Sequence, residues 1–220
     1  MTDVLVLTRS SNRAASAPFE KSAGRWKVPV TMLESQEANS QIGEGWLQGI
    51  AAISNSSASW IVVTDAFDVL VARWDRAELI ARLEAAHGNI IVSCEKNCWP
   101  DGEWCARYPI TASPWKFICG GQYAGRRAEL LAMLKEMYER RETVTAGGST
   151  QEILHKMFVG GWPMTLDREC SIFQSMLGAN DGEIVPRGGG AFNAVTLTAP
   201  MFLHFNGHAD GFKEWEGLLR

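Results

Sequence analysis

Two aspartates three residues apart break an apolar stretch running from Trp60 to Ala72, WIVVTDAFDVLVA. The β-branched run Ile61 to Val63 reads as a buried strand. Asp65 and Asp68 follow it, and the chain then returns at once to apolar residues. Two carboxylates between buried runs cost on the order of several kcal/mol unless something neutralises them. On a tight turn at a strand end they can jointly hold a hard divalent cation, which in turn can hold phosphate oxygens. The competing reading is turn chemistry, since Asp caps turns and helix starts. His204, in MFLHFNGH, also ends an apolar run, and is either a hydrogen-bonded core histidine or a third ligand to the same cation. Trp99, beside Pro100 in a polar loop, is either packing or a stacking platform for a sugar or base.

These residues need elements to carry them. DVLVLT reads as a strand ending near Thr8. The next thirty residues look polar and irregular, with one short strand at Val28 to Leu33. GWLQGIAAIS reads as a helix carrying Trp46, Leu47, Ile50 and Ile53. Asp75 caps the following helix, with Glu78 in a capping box and Leu79, Ile80, Leu83 and Ala86 on one face. Asn89 to Ser93 is a second buried strand, and WKFICGGQYAG a strand interrupted by Gly120 and Gly121. The longest helix, RRAELLAMLKEMYERRE, turns Leu130, Leu131, Leu134, Met137 and Tyr138 inward. Ser149 and Glu152 form a second capping box, and MTLD and MFLHF are short strands. Strands alternating with helices predict one α/β domain over residues 1–220, with a mostly parallel central sheet flanked by helices. Ligands of such sheets sit at the carboxyl ends of the strands, where Asp65 and Asp68 fall.

Composition narrows the classes. A chain 46% hydrophobic and 21% charged is ordinary for a soluble globular protein. No apolar run approaches the roughly 20 residues that span a bilayer, and Asp3 stands where a signal peptide carries positive charge. A cytoplasmic protein without a membrane partner is expected. The net charge of -4 argues against a broad nucleic-acid footprint. Cys94, Cys98 and Cys105 cluster, but their C-x3-C-x6-C spacing fits no common zinc pattern. The Gly-rich PRGGGAF lacks the lysine of a phosphate-binding loop, and no Gly-x-Ser-x-Gly elbow occurs.

Five stretches together resemble the glycosyltransferase domain of the procollagen lysyl hydroxylase/glycosyltransferase enzymes. They are VVTDAFDVLV, VSCEKNCWPD, FICGGQYAG, LDRECSIFQSMLGA and LHFNGH, in the family's order and spacing. The resemblance implies a GT-A, Rossmann-like fold that binds a nucleotide sugar. It implies a Mn2+ (or Mg2+) ion on Asp65, Asp68 and His204, with UDP-sugar as donor. Donor-binding positions carried over or adjacent are Thr8, Thr64, Asp65, Trp99, Gly120, Gly121, Gln151, Asn206 and Gly207, with Trp99 on a loop that closes over the sugar. Glu95 is the first candidate for the catalytic base and Asp167 the second. Asp167 could equally be a structural acceptor for backbone amides.

The departures bear on the acceptor. The family's acidic Asp-Asp-Gln is here Ser149, Thr150 and Gln151, and its Asn-Ser before Gly-Gly is Ile118 and Cys119. Lost negative charge at the sugar end suits an anionic acceptor better, because like charges repel in a partly desolvated site. The expected acceptor is a hydroxyl, of protein hydroxylysine type or on a modified DNA base; on this charge argument it is not simply a cationic hydroxylysine, and a hydroxymethylated DNA base is the leading substitute. Gly125 to Arg127, Arg140 and Arg141 offer a weak basic patch for the latter. A non-catalytic sugar-nucleotide binder is the remaining alternative.

Overall fold

The computed structural model describes residues 3–34, 44–100, 102–143, 150–207 and 211–219. Along the chain the elements are β1 (Val4–Ser10), α1 (Arg13–Arg25), β2 (Val30–Glu34), α2 (Glu44–Asn55), β3 (Trp60–Thr64) and β4 (Val69–Val71). Next come α3 (Arg76–Ala85), β5 (Ile90–Glu95), β6 (Phe117–Arg126), α4 (Arg127–Glu139) and α5 (Thr150–Val159). The last third holds β7 (Thr165–Leu166), β8 (Phe173–Ser175), β9 (Ile184–Arg187), β10 (Gly190–Asn193), β11 (Phe202–His204) and α6 (Phe212–Leu218).

The main sheet has the order β2-β1-β3-β6-β5-β7, and all its strands are parallel except β6. Both faces are covered, so the central strands are apolar on both sides. Along β1 and β3, Val4, Val6, Trp60 and Val62 pack into one core, while Leu7 and Ile61 pack into the other. Among the residues of the first core are Phe19 of α1 and Leu79 and Leu83 of α3. The second takes Ile53 of α2, Leu130, Met133 and Met137 of α4, and Ile153 of α5.

A second sheet, β4-β11-β8, adjoins the first. This explains why the sequence turns apolar again after Asp68. The Asp65–Asp68 turn is the crossing from β3 in one sheet to β4 in the other, and β4 pairs antiparallel with β11. The PRGGGAF segment is the β9–β10 hairpin turn, with Gly188 and Gly189 both at positive φ.

Several local expectations need correcting. Residues 13–25 are helical, although the stretch is polar and carries Pro18. Asn12 caps α1 by accepting from the amides of Ala14 and Ala15, and the narrow buried face is Ser16, Phe19, Ser22 and Ala23. The α3 capping box is half formed: Asp75 accepts from the Glu78 amide, but the Glu78 carboxylate pairs with Arg73 and Arg82. On α2, Trp46 and Ile53 are buried and Ile50 packs partly against them, while Leu47 is exposed. Strand β6 is continuous through Gly120 and Gly121, with its irregularity on the β5 partner between Val92 and Cys94. The Ser149 cap lies outside the described residues.

Asp167 shows how tightly the far end of β5 is tied. Its two carboxylate oxygens accept from the amides of Ser171, Ile172 and Phe173 and from the Ser171 hydroxyl, at 2.8–3.0 Å. It is buried, and burial raises its pKa in spite of those four bonds. Asp167→Ala strands three buried amides, and thermal or denaturant unfolding should show a loss of about 3 kcal/mol.

Candidate active site

Asp65 directly follows β3 and Asp68 directly precedes β4. The Asp65 amide donates to the Gly121 carbonyl at 3.0 Å, and the Phe205 amide to the Asp68 carbonyl at 2.8 Å. The turn is therefore held from both sheets. His204, the last residue of β11, is brought alongside because it lies in register with Val69. One oxygen of each aspartate and a His204 ring nitrogen all lie within 4.8 Å of one another. His204 Nε2 stands 3.5 Å from Asp65 Oδ2 and 3.4 Å from Asp68 Oδ2. The imidazole is 3% exposed, while the carboxylates are 40% and 38% exposed and open to the cleft.

The supports of this trio are specific. His204 Nδ1 meets the buried Cys119 Sγ at 3.5 Å, which leaves Nε2 facing the carboxylates. A Cβ on Gly121 would lie 2.4 Å from both Asp65 Oδ2 and His204 Cε1, and one on Gly120 2.7 Å from Gln151 Cβ. The paired glycines therefore let the β6 backbone run directly beneath the trio. Although its side chain is partly open to the cleft, the protein packed around Asp65 strips water from the carboxyl and pushes it up to about 6, against the pull of His204. Burial works to lower the His204 pKa, but Cys119 and Asp68 outweigh it and hold the ring protonated. Two carboxylates sharing one imidazolium are the charge pattern of a cation site in which a proton stands in for the metal. The donor set fits a divalent ion: two carboxylate oxygens and one imidazole nitrogen, with room on the cleft side for further oxygens.

Around the trio is a cavity of about 370 Å³ whose walls include Phe67, Trp99, Gln151, Asn206 and Gly207. A deeper cleft adjoins it through Asp65, Gly120, Gly121 and Thr150, and is lined further back by Thr8, Arg9, Trp46, Thr64 and Tyr123. The structure thus brings every expected donor-binding residue to one continuous cleft at the carboxyl end of β1 and β3. Thr8 and Thr64 shape its wall, with the Thr8 hydroxyl bound to the Thr64 carbonyl at 2.6 Å. Trp99 projects from the loop after β5, 52% exposed.

Of the two base candidates, Glu95 lies directly behind the cleft walls Gln151 and Asn206, and Asp167 lies elsewhere. Glu95, at the end of β5, is buried, and each of its oxygens is taken: one accepts from Gln151 Nε2, the other from Asn206 Nδ2 at 3.0 Å. Burial raises its pKa despite both bonds. Asp167 lies beside Val92, further back along β5, and lines a different hollow with Arg168 and Ser171. The amides of Gln151 and Asn206 are similarly engaged. Gln151 Oε1 accepts from the Gly120 amide at 2.9 Å, and Asn206 Oδ1 from the Ser175 hydroxyl at 2.7 Å. Sequence reasoning missed Phe67, Arg9 and Tyr123 as wall residues and Cys119 as the partner of His204. The position of Arg9, just inside the end of β1, was the available signal.

A family model described as PLOD GT domain matches residues 3–212. The chain belongs to the PLOD GT domain family. Among relatives, it is 27% identical over 178 residues to an uncharacterized protein of Acanthamoeba polyphaga mimivirus, covering 80% of this chain and 37% of that protein. It is 29% identical over 155 residues to bovine procollagen-lysine,2-oxoglutarate 5-dioxygenase 1, covering 67% of this chain and 20% of the relative. Identity to the multifunctional procollagen lysine hydroxylase and glycosyltransferase of Caenorhabditis elegans is 24% over 221 residues, 93% of this chain and 30% of that one. The chain thus spans about a fifth to a little over a third of these relatives. A crystal structure of a glycosyltransferase involved in glycosylation of the major capsid of PBCV-1 shares the fold, with TM-score 0.54 and 14% identity over 97% of this chain and 98% of that one.

Two outcomes follow for the trio. Gly121→Ala should leave the circular dichroism of the fold intact and abolish Mn2+ binding measured by calorimetry. Metal entry must also expel the His204 proton and find Asp65 ionised. Because Asp65 titrates near 6, affinity should fall as pH drops, by at least about tenfold between pH 7.5 and pH 5.

Proposed function

We propose that this domain moves a hexose from a UDP-sugar to a hydroxyl acceptor, with Mn2+ held by Asp65, Asp68 and His204. The observation that carries this reading is the convergence of those three side chains at the mouth of the cleft between β1 and β3. A bound divalent ion would supply the positive charge that a departing nucleoside diphosphate requires. The protein's own part is placement. Asp65 and Asp68 are fixed by the β3–β4 crossing, and Cys119 sets the His204 ring. The deeper cleft, with Trp46 and Tyr123 in its walls, takes the nucleoside. Trp99 covers the sugar. Glu95 braces Gln151 and Asn206 by accepting from both side-chain amides.

The acceptor that fits best is a hydroxyl of protein type, as the names of the collagen-modifying relatives suggest. The DNA-base alternative rests on the hydroxyls at 149 and 150 in place of acids, with a weak basic patch beside it, and the arginines of that patch are engaged within the fold. Arg126 pairs across from Trp60 at the opposite end of β3 from Asp65, roughly 15 Å away by strand rise. There it stacks on Trp60, while Arg127 bonds the Ser56 carbonyl. Arg140 pairs with Glu136, and Arg141 stacks on Tyr138 beside Glu142. Thr150 does line the cleft; Ser149 lies outside the described residues. Among the described residues, no helix is long and apolar enough to cross a membrane.

Calorimetry should show UDP binding that requires Mn2+, and Asp68→Ala should abolish that Mn2+-supported binding with the fold retained. Tight UDP binding without metal would refute the reading. Trp99→Ala should lower transfer far more than UDP affinity. Mass spectrometry of a panel of UDP-sugars with hydroxylysine peptides and hydroxymethylated DNA identifies donor and acceptor, and no turnover of any donor leaves only a binder.

A further inference from the structure

His155 is fully buried and takes no part in the transfer just described, yet both its ring nitrogens are engaged. Nε2 lies 2.8 Å from the carbonyl oxygen of Trp99. A carbonyl only accepts, so Nε2 carries the proton and Nδ1 is bare. Nδ1 meets the Tyr108 hydroxyl, which donates to it. The Tyr108 oxygen accepts in turn from the Ile118 amide at 3.4 Å. Burial lowers the His155 pKa to about 4, so the ring stays neutral near pH 7.

One turn earlier on α5, Gln151 donates to the same Trp99 carbonyl at 3.1 Å. Two donors therefore converge on one oxygen of the residue whose indole is half exposed at the cleft. Buried polar groups are costly unless paired. This chain begins at the β6 amide of Ile118, runs through Tyr108 and His155, and ends on the backbone of the Trp99 loop. It holds that loop's backbone while leaving the indole uncovered.

We propose that His155 is a positioning residue: with its tautomer set by Tyr108, it and Gln151 lock the Trp99 backbone so that the indole stands over the cleft. Trp99 is thus pre-placed from α5, rather than carried on a loop that waits for donor to order it. The proposal rests on the reading that a nucleotide sugar binds beneath Trp99.

The test uses His155→Phe, Tyr108→Phe and His155→Gln in the whole protein. Phe removes the donor to Trp99, whereas Gln offers one amide hydrogen to that carbonyl and one oxygen to Tyr108. Three readouts are taken: UDP affinity with Mn2+, turnover of the UDP-hexose the wild type uses, and hydrogen exchange in the peptide carrying Cys98 and Trp99. In His155→Phe, turnover should fall about tenfold to a hundredfold while UDP affinity changes less than about twofold. Exchange at the Trp99 peptide should rise, Tyr108→Phe should follow in the same direction, and His155→Gln should recover most of both. Parallel loss of UDP affinity and turnover, unchanged exchange at Trp99, or a His155→Gln variant no better than His155→Phe would overturn the proposal. If the wild type binds no UDP with Mn2+, the functional reading fails, and the exchange readout alone still decides the anchor.

Discussion

Two carboxylates and an imidazole whose ligand atoms all lie within 4.8 Å repel or collapse unless a proton or a cation lies among them. That crowding organises the carboxyl end of the main sheet. It requires a chain crossing between two sheets, so that Asp65 directly follows β3 and Asp68 directly precedes β4. It requires β11 to end in register beside β4, which delivers His204. It also requires β6 to carry no side chain at Gly121, where a Cβ would meet both partners at 2.4 Å. Cys119, two residues before Gly121 on the same strand, meets His204 Nδ1. Strand β6 thus supplies both the space and the orientation of the site, and it is the one strand that runs against the others in its sheet.

A second layer of polar contacts surrounds the first. Ser175, Asn206, Glu95, Gln151, Gly120 and the Trp99 carbonyl form a continuous hydrogen-bonded chain through the cleft floor. It joins β8, the segment after β11, β5, α5 and β6. A satisfied network stiffens its members, and a broken one leaves its buried groups unpaired. Glu95 is its hub, which is why a carboxylate that looks like a base candidate in sequence turns out committed to two amides.

Much of this was legible in the sequence for physical reasons. A continuous β-branched run ending in Asp65 signals a buried parallel strand, and ligands gather at such ends. The spacing of Asp65, Asp68 and His204 within the resemblance marked them before their meeting could be seen. What stayed hidden depends on contacts distant in the chain. Helix α1 was missed because its buried face is narrow, built of Ser16, Phe19, Ser22 and Ala23, and Pro18 sits inside it. The apolar run after Asp68 could not be assigned to a second sheet, since its partner β11 lies more than a hundred residues on. The roles of His155 and Tyr108 arise only when α5 packs beside the Trp99 loop. Of the arginines that look like a patch in the sequence, Arg126 and Arg127 lie at the end of β3 away from Asp65, and Arg140 and Arg141 pair with Glu136 and Glu142.

The central claim is that Asp65, Asp68 and His204 hold one divalent ion that also meets the donor's diphosphate. Pulsed electron paramagnetic resonance of Mn2+ bound to the protein tests it directly. The account predicts a nitrogen coupling from a single imidazole, absent in His204→Ala, and a phosphorus coupling that appears when UDP is added. A bound Mn2+ ion with no imidazole coupling, or one whose spectrum is unchanged by UDP, would contradict it.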